Sequence, residues 1–179
     1  MKLGFILSGG GSFPRFLYQN MHCAPGVEIV AVVTDRTCPA LDYFLSETPV
    51  PTRHIDYGDK GATNFENEAV HFLKSQGVDT VFLSFNRLVK HQLLRAYTGR
   101  MYNSHPTLLP LFKGLTAKQD AFASDVLFGG ATVHLVDETV DGGPIVAQCL
   151  VPRNHTDSPD ESWHSVFLHQ AVMLLNVMA

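Results

Sequence analysis

Residues 27–33 read VEIVAVV. Apart from Glu28 the run is apolar and rich in β-branched residues. It begins after Pro25-Gly26 and ends at Asp35-Arg36. A strand buried on both faces reads this way, and such strands belong to parallel sheets covered by helices. Upstream, Lys2–Leu7 is a first short apolar strand. It runs into Ser8-Gly9-Gly10-Gly11-Ser12 and Phe13-Pro14, a glycine turn entering a helix, with Ser12 as cap and Pro14 at the first helical position. That helix continues through Phe16 and Leu17 toward Met21. Downstream, Val50–Ile55, Val78–Ser84 and Arg100–Asn103 read as further strands. Pro39–Ser46 (a short helix or turn), Asn64–Ser75 and Leu88–Tyr97 fall between them. Phe65, Ala69, Phe72 and Leu73 form a helical stripe that Gly77 closes. In the next helix Leu88, Leu93 and Leu94 face inward, Lys90 and Arg95 outward. This alternation predicts an α/β fold, a mostly parallel central sheet with helices on both faces.

Beyond residue 103 the pattern changes. Thr116–Ala123 is helical and Gly129-Gly130 marks a turn. Ala131–Val136 and Ile145–Val151 read as strands, possible as antiparallel additions, joined by a functional loop. Asp157 or Ser158 caps a last helix, with Pro159 first and Glu161 near the third position. Val166, Phe167, Ala171, Leu174, Leu175 and Met178 give it a broad apolar face. The 179 residues, 45% hydrophobic and 17% charged, suit one domain over 1–179 with a sizeable core. Thirteen basic residues against 17 acidic, without a Lys/Arg run, give no electrostatic footprint for nucleic acid. No apolar run is long enough to span a bilayer, and the N-terminus reads as a strand, not a signal peptide. Cys23, Cys38 and Cys149 form neither a disulfide framework nor a metal-type pair, so a reducing, cytoplasmic setting is expected. The triplet Asn154-His155-Thr156 fits a glycosylation site, but no secretory segment supports its use.

Two stretches carry chemistry: Met101–Gly114, MYNSHPTLLPLFKG, and Asp137–Pro144, DETVDGGP. The Asn103 amide can donate to a developing oxyanion, or tie its own loop. His105 can donate to the same oxygen, shuttle a proton near neutral pH, or support a turn. Pro106 and Pro110 stiffen the path to Leu108-Leu109. Asp141 can orient His105 and accept a proton, or form an Asx-turn. Gly142-Gly143 let the backbone approach a planar ligand. Asp137 and Glu138 suit a solvated turn. His134 can support the site from behind. A zinc site from His105, His134 and Asp141 is disfavoured because no compact ligand motif is present, and no metal is expected. The glycine turn at Gly9, Gly10, Gly11 and Ser12 can aim N–H groups at an anion, or be a plain tight turn. It lacks the dinucleotide and Walker patterns.

With these motifs the chain resembles the folate-dependent formyltransferase family, and within it the branch acting on glycinamide ribonucleotide. The carriers are Asn103-Ser104-His105-Pro106-Thr107-Leu108-Leu109-Pro110, then Val133-His134 and Asp141-Gly142-Gly143-Pro144, with Ser8–Ser12 as a weaker match. The resemblance covers nearly the whole chain. It implies a Rossmann-like sheet and 10-formyltetrahydrofolate as co-substrate. A primary amine attacks the formyl carbon, Asn103 and His105 hold the oxyanion, and Asp141 supports His105 and assists proton transfer. The pterin is expected against Phe85, Asn86, Arg87 and Leu88 and against Val136, Asp137, Val140 and Asp141. Gly9, Gly10, Gly11, Ser12 and Gln170 are expected at the acceptor. The acceptor is a small-molecule amine that can be phosphorylated, glycinamide ribonucleotide by default. No nucleic acid or membrane partner is expected, and the assembly is a monomer or homodimer.

The sequence also departs from the family pattern. Phe13 stands where asparagine is usual, and Ser84-Phe85-Asn86-Arg87 replaces a Gly-Phe-Met-Arg-like segment. An arginine expected near Ala62–Thr63 has no equivalent. Gln170-Ala171 replaces a Glu-His pair, and the sequence ends where the family often continues with a final strand. These departures point to a divergent member, so three alternatives stay open: another amine such as an amino sugar, a folate-binding module, and a formyl-folate hydrolase.

Overall fold

The first strand, β1 (Lys2–Leu7), buries Leu3, Phe5, Ile6 and Leu7 completely. It pairs in parallel with β2 (Glu28–Thr34), β2 pairs in parallel with β3 (Thr52–His54), and β1 pairs on its other side with β4 (Thr80–Ser84). The computed structural model describes residues 1–154 and 156–178. They fall into two compact units, Met1–Tyr102 and Asn103–Ala179. In the first unit α1 (Ser12–Gln19), α2 (Pro39–Glu47), α3 (Tyr57–Ser75) and α4 (His91–Ala96) alternate with the strands. β5 (Met101–His105) leads into the second unit, where β6 (Phe128–Leu135) runs antiparallel to β7 (Ile145–Pro152). α5 (Ala117–Ala123) and α6 (Pro159–Met178) complete that unit. The fold is thus a mostly parallel sheet flanked by helices, as the strand–helix alternation predicts.

Several local expectations need correction. α1 starts at Ser12 with no side-chain cap, because Gly11 takes the cap position in a left-handed conformation (φ 62°). Pro14 therefore lies inside the first turn. The helix stops at Gln19, where a 3₁₀ turn over Met21–Cys23 follows. α3 is longer than its apolar stripe because a short turn precedes it, capped by Asp56, which accepts from the Asp59 N–H at 3.0 Å, and joined to the stripe-bearing helix by a kink at Gly61 (φ 70°, ψ 169°). α4 is shorter, and Leu88 is 62% exposed instead of inward, since residues 85–90 are irregular. The glycosylation-like triplet includes position 155, which lies outside the described residues.

Gly129-Gly130 is not a turn but part of β6. A Cβ on Gly130 would lie 2.1 Å from the Cys149 carbonyl oxygen and 2.8 Å from Leu108 Cδ2, so close approach requires the glycine, at φ 151°. In α6, by contrast, the capping reads correctly. Ser158 Oγ donates to Glu161 Oε2 at 2.7 Å, and the Ser158 N–H reaches the same carboxylate at 2.9 Å. Val166, Ala171, Leu174 and Met178 are buried. Arg153, after β7, donates to the carbonyls of Ala121, Phe122, Ser124 and Val126, closing the carboxyl end of α5. Overpacking at Gly130 has no easy relief, because one neighbour is backbone. Gly130→Ala is expected to destabilise the protein by about 1–3 kcal/mol, read as a lower urea midpoint at unchanged slope.

Candidate active site

Strand geometry places Asn103 and His105, two positions apart on β5, on one face. His105 is 5% exposed and both ring nitrogens are engaged. Nε2 lies 2.7 Å from the Phe112 carbonyl oxygen, and Nδ1 lies 3.3 Å from Asp141 Oδ2. A carbonyl can only accept, so Nε2 carries a proton in this state. Nδ1 is then the nitrogen that faces the Asp141 carboxyl. Donation from His105 to a substrate oxygen requires the Phe112 carbonyl to be exchanged first, a restriction the spacing of the motif did not reveal.

Asp141 is not an Asx-turn residue. Its backbone is left-handed (φ 47°), and its Oδ2 accepts the Gly114 N–H at 2.8 Å. Asp137 makes the Asx-turn instead, accepting the Thr139 N–H at 2.8 Å and the Thr139 hydroxyl at 2.6 Å. The Thr139 hydroxyl and N–H hold the exposed Asp137 carboxyl below its ordinary range. Gly142 and Gly143 serve the loop's own packing. A Cβ on Gly143 would meet the Leu135 carbonyl oxygen at 1.9 Å, and one on Gly142 would meet Thr139 Oγ1 at 2.2 Å.

His134 reaches Asp141 directly. Its Nδ1 lies 2.9 Å from the Leu135 carbonyl oxygen, which fixes the proton on that nitrogen. Nε2 is buried without a hydrogen-bond partner and stands 3.6 Å from Asp141 Oδ1. Both carboxyl oxygens of Asp141 thus face an imidazole. Burial pushes the His134 imidazole below its ordinary value, against the opposing pull of the Leu135 carbonyl and the Asp141 carboxylate. Among the described residues no group of His, Cys, Asp and Glu is arranged to hold a metal ion.

A polar scaffold invisible to motif reading fixes the His105–Gly114 turn. Thr132 is fully buried, and its hydroxyl donates to the Thr107 carbonyl at 2.8 Å while accepting the Leu109 N–H at 2.9 Å. Gln148 Nε2 reaches the Leu109 carbonyl at 2.8 Å and Thr132 Oγ1 at 3.0 Å. Thr107 Oγ1 donates toward the Leu111 and Phe112 carbonyls. The only sequence signal was the shared alternation of Thr132 with His134.

In the first unit Asn86, Arg87 and Leu88 are exposed and Phe85 is half-buried. The Gly9–Ser12 turn enters α1, and Phe13 is turned into the core, against Phe5 and Phe82. Phe13 therefore does not fill the turn. In the second unit Gln170 Nε2 donates to Ser104 Oγ, and strand alternation puts Ser104 opposite Asn103 and His105. Val136, Asp137 and Val140 sit on the loop between β6 and β7, with Asp137 and Val140 exposed.

The family model described as formyl transferase matches residues 1–177. The chain belongs to the formyl transferase family. It is 35% identical over 153 residues to phosphoribosylglycinamide formyltransferase of Mycobacterium tuberculosis, covering 84% of this chain and 71% of that one. The corresponding enzyme of Bacillus subtilis is 40% identical over 103 residues, 57% of this chain and 52% of that one. The solved phosphoribosylglycinamide formyltransferase of Brucella melitensis superposes with a TM-score of 0.89 at 31% identity, covering 99% of this chain and 93% of that one. Glycinamide ribonucleotide transformylase 1 of Symbiobacterium toebii gives a TM-score of 0.92 at 28% identity, with 99% and 85% covered. The sheet and helices are thus those of the Rossmann-like formyltransferase fold, and family membership supports formyl transfer from 10-formyltetrahydrofolate. No helix among the described residues is long and apolar enough to cross a membrane.

The depressed His134 pKa has a signed consequence. Above the imidazole's unfolded value, near 6.5, both folded and unfolded states hold it neutral. Below that value the unfolded chain takes up a proton sooner, so stability falls as pH drops toward the folded pKa. His134→Asn, which keeps a donor for the Leu135 carbonyl, is expected to lose this dependence. Chemical denaturation from pH 7.5 down to 5 should show the wild-type stability falling relative to the variant below about 6.5.

Proposed function

We propose that the protein transfers a formyl group from 10-formyltetrahydrofolate to a primary amine, glycinamide ribonucleotide being the default acceptor. One observation carries the reading: the Asp141 carboxyl stands between two imidazoles, 3.3 Å from His105 and 3.6 Å from His134. Formyl transfer to an amine develops negative charge on the formyl oxygen and sheds a proton from nitrogen. It therefore needs fixed hydrogen-bond donors and a nearby proton acceptor.

Asn103 supplies the side-chain amide donor. His105 joins it when its Nε2–H leaves the Phe112 carbonyl for the substrate oxygen. Asp141 accepts the amine proton, directly or through water, and shares it with His105 Nδ1 and His134 Nε2. The donor's N10 takes a proton as its bond to the formyl carbon breaks. In this reading Phe85–Leu88 of the first unit presents backbone groups to the pterin. A segment exposed at Asn86, Arg87 and Leu88 suits the edge of a flat heterocycle. Gly9–Ser12, at the start of α1 and unobstructed by Phe13, receives an acceptor phosphate. The names of the M. tuberculosis and B. melitensis relatives support glycinamide ribonucleotide as that acceptor.

The Gln170 amide is bonded to Ser104, so an amino sugar is kept as a second acceptor class to be tested beside glycinamide ribonucleotide. The test follows loss of the formyl group from 10-formyltetrahydrofolate with glycinamide ribonucleotide and a panel of amino sugars. Asn103→Ala, His105→Ala and Asp141→Asn are each expected to lower single-turnover transfer by about 10²–10⁴-fold while circular dichroism stays unchanged. Transfer at the wild-type rate in all three variants would overturn the reading. Turnover only with an amino sugar would replace the default acceptor.

A further inference from the structure

In the first unit the chain between β4 and α4 is gripped at both ends from a single helix. The Phe85 ring stacks on Phe65 of α3, centroids 5.4 Å apart at 10°. The next residue of α3, Glu66, is 3% exposed. Its carboxylate accepts the Lys90 N–H at 2.5 Å, the Gln92 N–H at 2.9 Å and the Leu93 N–H at 3.3 Å. α4 has no capping side chain of its own. Two further ties sit near the start of the segment. The Asn86 N–H donates to Ser8 Oγ at 3.0 Å, and Arg87 lies 3.5 Å from the buried Asp35 and 4.6 Å over the Tyr57 ring. The stretch left between these anchors, Asn86–Leu88, is irregular and exposed.

Helix capping alone does not account for this arrangement. A serine or aspartate at position 90 would cap α4 locally and stay solvated. A buried carboxylate reaching from another helix carries a desolvation cost that only several strong hydrogen bonds offset. What it adds is a fixed distance between α3 and the first turn of α4, and hence one path for the main chain in between. An irregular segment with both ends fixed offers its N–H and C=O groups in a set pattern, which is what recognition by backbone requires.

We propose that Glu66 is a positioning residue for the folate co-substrate, holding the main chain of Asn86–Leu88 in the path that receives the pterin. The proposal rests on the reading that this segment contacts the donor. The test uses the full chain with Glu66→Gln, which keeps the side-chain size but turns an N–H toward the backbone N–H groups. Glu66→Asp, which keeps the charge and withdraws it by one methylene, is the milder variant. Tetrahydrofolate affinity, the KM of each substrate, kcat, thermal midpoint and amide exchange over 85–93 are measured together.

The expected result is faster exchange at Lys90, Gln92 and Leu93 and about a tenfold or greater loss of tetrahydrofolate affinity in Glu66→Gln, with a matching rise in donor KM. The acceptor KM and kcat at saturating donor should stay near wild type, and Glu66→Asp should be intermediate. If folded Glu66→Gln or Glu66→Asp shows the faster exchange but wild-type folate affinity, the proposal is overturned. Donor KM, acceptor KM and kcat all changing in step with lost folded protein would also overturn it, as a purely structural role predicts. Failure of the wild-type protein itself to bind tetrahydrofolate would instead overturn the donor reading on which the proposal rests.

Discussion

The carboxylate of Asp141 is the group to which both functional turns of the second unit are tied. It holds the Gly114 N–H at 2.8 Å and faces the imidazoles of His105 and His134. Without it, two buried rings would confront one another with no counter-charge, and the turn that ends at Gly114 would lose its anchor. The left-handed backbone at Asp141 is the local strain accepted for this placement; aspartate tolerates that conformation better than most side chains. The placement of both imidazoles and the loop geometry therefore depend on the same carboxylate. A change that alters one alters the other.

The first unit was legible because parallel strands buried on both faces leave an unambiguous signature, as in residues 27–33. Its errors fall where local rules compete with tertiary contacts. Helical spacing turns Leu88 inward, but the helix starts only at His91, where Glu66 supplies the cap. Gly129-Gly130 was read as a turn by composition, although a neighbouring carbonyl and Leu108 are what exclude a side chain there. Neither cause is local in sequence, so no window of neighbouring residues contains it.

For the candidate site, the pairing of His105 with Asp141 was anticipated and the surrounding framework was not. Nothing in Met101–Gly114 indicated that the Phe112 carbonyl holds His105 Nε2, because backbone acceptors carry no sequence identity. Thr132 and Gln148 carry no motif, yet their side chains tie the turn to β6 and β7. Motifs record the groups that react. The groups that hold them are chosen for fit, and several different residues can meet that need.

Arg153 illustrates a mechanical side of the same design. One guanidinium serves carbonyls spread from Ala121 to Val126, with its face 5.5 Å from the Phe122 ring. The carboxyl end of the short helix α5 and the chain leaving β7 therefore cannot loosen separately. They form one cooperative block, so thermal fraying that begins at the end of α5 must either be arrested at that side chain or carry the end of β7 with it.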